Sequence, residues 1–126
     1  MNGGAYLIHL HLGEAIRITV GRLGPMSLPP GRYVYAGSAR RGLDARIARH
    51  HRQWAERRPV RRWHIDAVLA HPACRWHLAQ RFPGGHECAL AQALARLPGA
   101  AAPVPGFGAS DCRNGCPAHF LHLPRG

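Results

Sequence analysis

A strand that leads directly into an arginine-lined helix is the feature that most restricts how this chain can fold. The strand is predicted over residues 32–36 (RYVYA), a β-branched and aromatic run, and a short turn with Gly37 and Ser38 follows it. Side chains alternate along a strand, so Tyr33 and Tyr35 are predicted to share one face. The order strand, turn, helix predicts a domain in which helices pack on a small sheet.

The helix after this turn is predicted to run from about Leu43 to Arg57, and Pro59 then prevents its continuation. Helical spacing places Leu43, Ile47 and Trp54 on the inward face. The adjoining polar stripe consists of Arg46, Arg49, His50 and Gln53. Two tyrosines beside an arginine helix form an arrangement suited to holding a phosphodiester, because guanidinium groups bind phosphate oxygens in pairs.

The N-terminal segment alternates with a period of two. The side chains on one face of this predicted strand are Tyr6, Ile8, Leu10 and Leu12. The alternation stops at Gly13 and Glu14 and resumes over 16–20, which predicts a β-hairpin. Three prolines and three further glycines precede or begin the next strand, so residues 21–31 are predicted to be a loop.

The rest of the chain adds shorter elements. They are a helix at 63–71, a strand at 74–78, a helix at 87–97, a Pro/Gly loop at 98–115 and a strand at about 118–123. In the helix at 87–97 the predicted apolar stripe is Leu90, Leu94 and Leu97. The pattern predicts an α+β fold, with a small mixed or antiparallel sheet flanked by helices, in a single domain over residues 1–126.

The charge balance favours a polyanionic partner. The 17 basic residues are all arginine and stand against six acidic ones, which gives a formal net charge of +11. Such an excess is typical of proteins that bind nucleic acid. The choice of arginine over lysine is explained equally by phosphate recognition and by a GC-rich genome.

Membrane insertion and secretion are not expected. No apolar run approaches the roughly 18 residues of a membrane helix, and the N-terminus lacks the pattern of a signal peptide. Four cysteines without secretion argue against a disulfide framework. A reduced, cytoplasmic location is therefore expected.

Two short motifs resemble those of the GIY-YIG nuclease superfamily. The segment Gly4-Ala5-Tyr6 matches the first motif, and the YAG at 35–37 matches the second. The surrounding pattern (YVYAGSA, then GL, an Arg, and RH) resembles a small GIY-YIG-like family of poorly defined function, found alone or attached to endonuclease III-type repair enzymes. Tyr6 and Tyr35 are 29 positions apart, a wider spacing than is usual in the superfamily.

The resemblance implies a set of catalytic residues. Tyr6 or Tyr35 would activate water, and a nearby arginine and a metal ion would lower the pKa of the phenol or of that water. Arg46 would stabilise the charge that gathers on the phosphate oxygens. His50 and His64 are further candidates, each with a hydrogen-bonded structural role as the alternative.

Glu87 is the candidate ligand for one Mg²⁺ or Mn²⁺ ion. Its spacing to Leu90 and Ala91 places it on the inward stripe of its helix, where an unpaired carboxylate is costly. The superfamily holds its ion with a glutamate on a downstream helix, and Glu87 matches it. The alternative is a residue in the first turn that complements the helix dipole. Asp66 either caps its helix or supplies a second metal ligand.

The predicted DNA contacts extend from the turn after the strand to the arginines that follow the helix. They are Gly37, Ser38, Arg40, Arg41, Arg49, Arg57, Arg58, Arg61 and Arg62. Contacts of this kind follow the phosphate backbone and give salt-dependent binding with little sequence preference.

The cysteine and histidine pattern near the C-terminus has the residue types of a zinc site. Its members are Cys112, Cys116, His119 and His122. The two histidines are three apart and would face opposite sides of a strand, so Cys74 or Cys88 would have to complete the set. A tight turn is therefore favoured over zinc at Cys112 and Cys116. The resemblance places Asp111, Cys112 and His119 along the cleft.

Three functions follow in order of preference. The first is a metal-dependent endonuclease that cuts DNA, with RNA as another possible substrate, in a DNA repair setting with an endonuclease III-type partner. The second is a non-catalytic nucleic-acid-binding module that assists a repair enzyme. The third is a zinc-stabilised interaction domain.

Overall fold

The computed structural model describes residues 3–59, 63–104, 107 and 118–123. The strands are β1 (Gly4–Leu12), β2 (Ile16–Val20), β3 (Gly24–Leu28), β4 (Gly31–Ala39), β5 (Cys74–Pro83) and β6 (Phe120–Leu123). The helices are α1 (Leu43–Glu56), α2 (Ile65–Leu69) and α3 (Glu87–Ala95), and a 3₁₀ turn spans Gly21–Leu23.

Four of the strands form one antiparallel sheet in the order β5-β1-β4-β6, and β2 and β3 form a separate two-stranded sheet. In the four-stranded sheet β1 pairs along its whole length with β4 on one side and with β5 on the other. With helices packed on the sheet, this is the predicted α+β fold in a single compact domain. The fold class is confirmed.

The predicted hairpin of the first two strands is wrong. β2 pairs with β3, so Ile16 lies opposite Leu28, and neither of these strands pairs with β1. β1 is buried on both of its faces, as a central strand is, and its two sides are taken by β4 and β5. The segment predicted to be a loop therefore contains β3. Pro25 is tolerated there because both strands of a two-stranded ribbon are edges.

The two faces of the large sheet are covered by different helices. On one face, here called the α1 face, Tyr6, Ile8, Tyr33 and Tyr35 pack in a core with residues of α1 and α2. On the opposite face, here called the α3 face, residues of β1, β4 and β6 pack with α3. The predicted alternation of both strands, including the shared face of the two tyrosines, is confirmed.

The helices differ from the predictions mainly at their ends. α1 ends at Glu56, and Arg57 stops it in the left-handed conformation with φ of 51°. The guanidinium of Arg57 donates to the carbonyl oxygens of Leu69, His71 and Cys74. α2 is shorter than predicted and β5 is longer. α3 ends before Leu97, which is 44% exposed, so the predicted apolar stripe holds only for Leu90 and Leu94.

Candidate active site

The two motif strands meet so that Tyr6 lies directly opposite Gly37. Tyr6 is buried, and its ring occupies the space over this glycine. A Cβ atom at position 37 would lie 2.4 Å from the Tyr6 hydroxyl oxygen, which is closer than real Cβ atoms approach a neighbour. The glycine of the second motif is therefore explained by the tyrosine of the first.

Tyr6 is hydrogen-bonded to His50 beneath α1. The Tyr6 hydroxyl and His50 Nε2 are 2.8 Å apart, and His50 is completely buried. The prediction that His50 lies on the polar stripe is wrong, as it is for the buried Gln53. Burial lowers the pKa of His50 to about 4 and raises the pKa of Tyr6 to about 12. Both groups are neutral at neutral pH, so we assign the hydroxyl as donor and Nε2 as acceptor.

Tyr35 completes an aromatic group with Tyr6 and His50. The ring centroids of the two tyrosines are 6.5 Å apart, and the His50 ring meets Tyr35 edge-on at 6.0 Å. Burial raises the pKa of Tyr35 well above its usual range. The charge of Arg46 opposes the rise for both tyrosines, but without a metal ion desolvation outweighs it, so both phenol pKa values lie above the ordinary value.

Arg46 lies between the buried tyrosine and the end of β4. Its Nη1 donates to the carbonyl oxygen of Ser38 at 3.1 Å. The guanidinium also lies 4.8 Å from the centroid of the Trp63 ring, and that of Arg49 lies 4.0 Å from the same centroid. The charge of Arg46 opposes part of the rise in the pKa of Tyr6. Arg46 thus retains further N–H groups beside the phenol.

Glu87 is the first residue of α3, and its carboxylate has two defined partners. Ser38 Oγ donates to Oε1 at 3.0 Å, and His119 Nδ1 lies 3.3 Å from Oε2. Burial by itself would raise the pKa of this carboxyl, but the His119 and Ser38 hydrogen bonds and the charge of Arg46 lower it overall. Glu87 is therefore ionised at neutral pH.

The candidate residues are arranged around the end of β4. Tyr6, Tyr35 and His50 belong to the α1 face, whereas Glu87 is reached from the α3 face. Ser38 joins the two sides, because its carbonyl oxygen accepts from Arg46 and its hydroxyl donates to Glu87. A hydrogen bond from Arg46 to Tyr6 adds the Tyr6–His50 pair, so five of the predicted residues, Tyr6, Ser38, Arg46, His50 and Glu87, form one network.

A cleft of about 560 Å³ opens beside Glu87 on the α3 side. Its described lining consists of Ser38, Gly85, His86, Glu87, Cys88, Ala89 and Gln92. Cys88 is a residue that the sequence interpretation missed as part of the site. Its sulfur lies 3.6 Å from His119 Nε2, so the imidazole of His119 lies between the thiol of Cys88 and the carboxylate of Glu87. The adjacency of Glu87 and Cys88 was visible in the sequence, but nothing there indicated that His119 would reach both.

Two of the other predicted site residues have structural partners. Arg49, predicted to contact DNA, makes a two-pronged ion pair with the buried Asp66, with N···O distances of 3.2 and 3.5 Å. Asp66 also accepts from the Trp63 backbone N–H at 2.9 Å, as expected for a carboxylate that staples its helix. His64 packs its ring edge-on against Phe107, with centroids 5.5 Å apart.

The predicted DNA-contacting arginines are also distributed differently. Arg40 and Arg41 are exposed in the turn between β4 and α1. Arg57 is held by backbone carbonyls, and the exposed Arg58 lies 3.8 Å from Glu56. Arg61, Arg62, Asp111, Cys112 and Cys116 lie outside the described residues. His119 and His122 do face opposite sides, since His119 contacts Glu87 and His122 packs on Tyr33.

Within the described ranges there is no group of three or more His, Cys, Asp or Glu side chains that could hold a metal ion. Glu87 is the one carboxylate in the described lining of its cleft. A single ionised carboxylate fits Mg²⁺ or Mn²⁺, because Mg²⁺ usually keeps several waters and binds proteins through one or two carboxylates.

None of the helices in the described ranges is long and apolar enough to span a membrane. No curated protein and no solved structure matches the chain. One family model, described as a domain of unknown function, DUF123, matches residues 5–126. Because this match spans nearly the whole chain, the protein belongs to the DUF123 family.

Proposed function

We propose that the protein is a divalent-metal-dependent endonuclease that hydrolyses phosphodiester bonds in DNA, as the GIY-YIG nucleases that its motifs resemble do. One observation carries the proposal. Tyr6, Arg46 and Glu87 come from three separate segments, and they meet at one end of the sheet: Arg46 and Glu87 both bind Ser38, and Arg46 also hydrogen-bonds Tyr6. The motif resemblance groups these three residues by their chemistry although they are far apart in the sequence. In the structure they also lie close together.

Arg46 is the group suited to bind the scissile phosphate. Its guanidinium is held by the Ser38 carbonyl oxygen, so its direction is set before a ligand arrives. A preorganised cation at the position where charge develops stabilises the transition state more than the ground state. We assign the same role in binding, without catalysis, to the exposed Arg40 and Arg41.

Tyr6 and His50 form a hydrogen-bonded pair beside Arg46. The neutral imidazole accepts the hydrogen bond of the phenol at 2.8 Å and thereby fixes the direction of the Tyr6 hydroxyl. The raised pKa of Tyr6 makes it a poor base by itself at neutral pH. A phosphate bound at Arg46 brings the reacting water next to this pair, and Tyr6 orients that water through its hydroxyl oxygen.

Glu87 would hold the metal ion. Its carboxylate is ionised, half-buried and lies at a cleft large enough for a hydrated cation. When bound, a divalent ion polarises the phosphate and lowers the pKa of water. Ser38 and His119 fix the direction of the carboxylate, as the groups behind a metal ligand generally do.

A second function, a nucleic-acid-binding module without catalysis, is favoured by a specific observation. Both motif tyrosines are buried with raised pKa values, and the two oxygens of Glu87 already have partners. In this case the network only stabilises the packing of the helices on the sheet, and the net charge of +11 supplies the affinity for DNA by itself.

The nicking of supercoiled plasmid in the presence of Mg²⁺ or Mn²⁺ separates the two functions. Glu87→Gln keeps the shape of the side chain but removes the charge that binds a hard cation. We expect it to lower cleavage by at least about 10²-fold, since a catalytic ion contributes several kcal/mol. Glu56→Gln is the matched control, because Glu56 lies on the surface beside Arg58. It should cleave as the wild type does.

Arg46→Ala should also lose about 10²- to 10³-fold in rate, with DNA affinity reduced by only one phosphate contact. The exposed Arg52 on the same helix provides its control, as Arg52→Ala. Equal nicking by wild type and Glu87→Gln would contradict the assigned metal ligand. Absence of nicking by the wild type on duplex, branched and abasic DNA would leave the binding module as the function.

A further inference from the structure

A second cleft lies at the other end of the α3 face. α3 packs over Leu7, Val34 and Ala36, and the sheet continues beyond it toward the start of β4. There a cleft of about 470 Å³ is lined by His9, Leu10, His11, Arg32, Arg75, Trp76 and His77. Arg32 and Ser38 are six residues apart on β4, so this cleft is on the order of 20 Å from the Ser38–Glu87 contact.

Three of these side chains form a row across three strands. His11 of β1 lies opposite Arg32 of β4 on one side and opposite Arg75 of β5 on the other. Residues paired in this way project from the same face of the sheet. All three are exposed, and neither guanidinium makes an ion pair within the part of the chain that the structure describes. The described lining contains no carboxylate.

A β-bulge adds a fourth basic side chain to the row. The pairing of β1 and β5 shifts between His9 and Leu10, which leaves His77 as the extra residue on β5. A bulge re-aims the side chain that it inserts, and bulges are common beside functional sites. His77 is exposed and lines the cleft.

His9 supplies an unsatisfied polar atom at the wall of the cleft. It is 8% exposed, and its Nε2 is 2.7 Å from the Gln80 Oε1. Its Nδ1 has no hydrogen-bond partner among the described residues. Burial lowers the pKa of His9, and the neighbouring charges of Arg32 and His77 lower it further. Like charges placed opposite one another on a sheet are destabilising without a counter-ion.

We propose that this cleft is a phosphate-binding site, formed by Arg32, Arg75, His11 and His77 on the α3 face. Phosphate is the ligand that matches the groups present. Two guanidinium forks on either side of an imidazole bind several oxygens of one tetrahedral dianion. A bound phosphate would favour the protonated form of His9, and the Nδ1–H of that form would then have an acceptor. The site does not depend on the nuclease proposal, since none of its residues belongs to the Tyr6–Glu87 network.

Titration calorimetry with inorganic pyrophosphate at low ionic strength tests the site. The double variant Arg32→Gln/Arg75→Gln should weaken binding at least about 10-fold, because two charge-assisted contacts are lost. Arg17→Gln/Arg22→Gln changes the net charge equally at exposed positions on β2 and the 3₁₀ turn. This control should bind as the wild type does. No saturable binding by the wild type, or the same loss in both double variants, would overturn the proposal.

Sulfate tests the histidines, because it keeps its dianionic charge between pH 6 and 8. Histidine gains positive charge as the pH falls through this range, so wild type should bind sulfate several-fold more tightly at pH 6. The charged and titratable groups facing the ligand are His9 and His11 on β1, Arg32 on β4, and Arg75 and His77 on β5. His11→Gln/His77→Gln should lose most of this pH dependence. If it retains the full effect, the assignment of these two histidines is wrong.

Duplex DNA identifies the source of the phosphate. If the site binds nucleic-acid backbone, Arg32→Gln/Arg75→Gln should reduce the slope of log affinity against log salt by about 2 relative to the control double variant. If the slope is unchanged while pyrophosphate binding is lost, the ligand is a small phosphate compound. Pyrophosphate binding is measured without DNA cleavage, so this result stands apart from that of the nicking assay.

Discussion

The two sides of the end of β4 carry chemically opposite groups. On the α1 side Tyr6, Tyr35 and His50 are buried, and desolvation keeps all three neutral. On the α3 side the Glu87 side chain is 31% exposed and stays ionised with two partners. The difference is set by access to water, since burial disfavours the charged form and hydrogen bonds to a carboxylate favour it.

Access to water thus separates neutral from charged groups within one small domain. A neutral phenol and a neutral imidazole share a hydrogen bond in a dry core at little electrostatic cost, whereas an ionised carboxylate needs hydrogen-bond donors or contact with water. At the end of β4, Gly37 and Ser38 lie between the buried residues Tyr35 and Ala36 and the last residue, Ala39. They let Tyr6 lie against the strand from one side while Ser38 reaches Glu87 from the other.

The largest expected effect on stability comes from Asp66 on the buried side. Asp66→Asn leaves Arg49 without its partner charge and weakens the bond to the Trp63 N–H. Breaking a buried pair from one side costs about 3–5 kcal/mol, and the low end applies because Arg49 is partly exposed. Urea denaturation should show a loss of roughly 3 kcal/mol. Glu87→Gln should lose less, and an equal loss would remove the contrast between the two sides.

His50 makes the buried side sensitive to acid. Its pKa in the folded protein, about 4, is below the ordinary 6.5, so the unfolded chain binds more protons between these values. The stability that His50 provides is complete above about pH 6.5 and is lost as the pH falls toward 4, at about 1.4 kcal/mol per unit. His50→Gln should flatten this part of the stability profile in urea melts, and the exposed His51→Gln should not.

A substitution at Gly37 tests how closely Tyr6 must pack against β4 on the buried side. Gly37→Ala places a Cβ atom against the Tyr6 ring, and overpacking of this kind costs about 1–3 kcal/mol. The displaced phenol should also separate from His50, which a shift in the histidine resonances would report. Gly13→Ala is the matched control, because a Cβ there meets nothing within 4 Å. A Gly37→Ala protein as stable as the control would mean that Tyr6 can move freely.

The smallest stability effect is expected from the Tyr6 hydroxyl. Tyr6→Phe removes one hydrogen bond and leaves His50 Nε2 unpaired, a loss of about 1 kcal/mol or somewhat more in thermal or urea melts. Tyr33→Phe is a suitable comparison, because the Tyr33 hydroxyl donates to the Pro29 carbonyl oxygen at 2.6 Å outside the network. Under the proposed function, plasmid nicking falls in Tyr6→Phe and is kept in Tyr33→Phe. Equal nicking by both variants would show that the Tyr6 hydroxyl takes no part in DNA cleavage.

Much of the secondary structure could be predicted from the chain because it depends on local periodicity. The alternation in β1 and β4 gave their faces correctly, and α1 begins where the apolar spacing begins. The pairing of β1 could not be predicted in the same way. Its alternation is equally compatible with β2 as a neighbour, and the choice of β4 and β5 depends on contacts between residues far apart in the chain.

Part of the proximity of the candidate residues could be predicted from the sequence, but their environment could not. The motif resemblance gave Tyr6, Arg46, His50 and Glu87, which lie in one hydrogen-bonded group in the structure. It did not give Cys88 beside His119, because these residues are 31 positions apart.

The sequence by itself determined much of the local secondary structure, the apolar sides of β1 and β4, and the basic net charge. Only the tertiary structure decided which polar groups are buried away from water. His50 follows Arg49 on the same helix, yet one is completely buried and the other pairs with Asp66 at the surface of the core. Helical spacing fixes the direction of a side chain, but its protonation depends on what packs against it, and those neighbours come from distant segments.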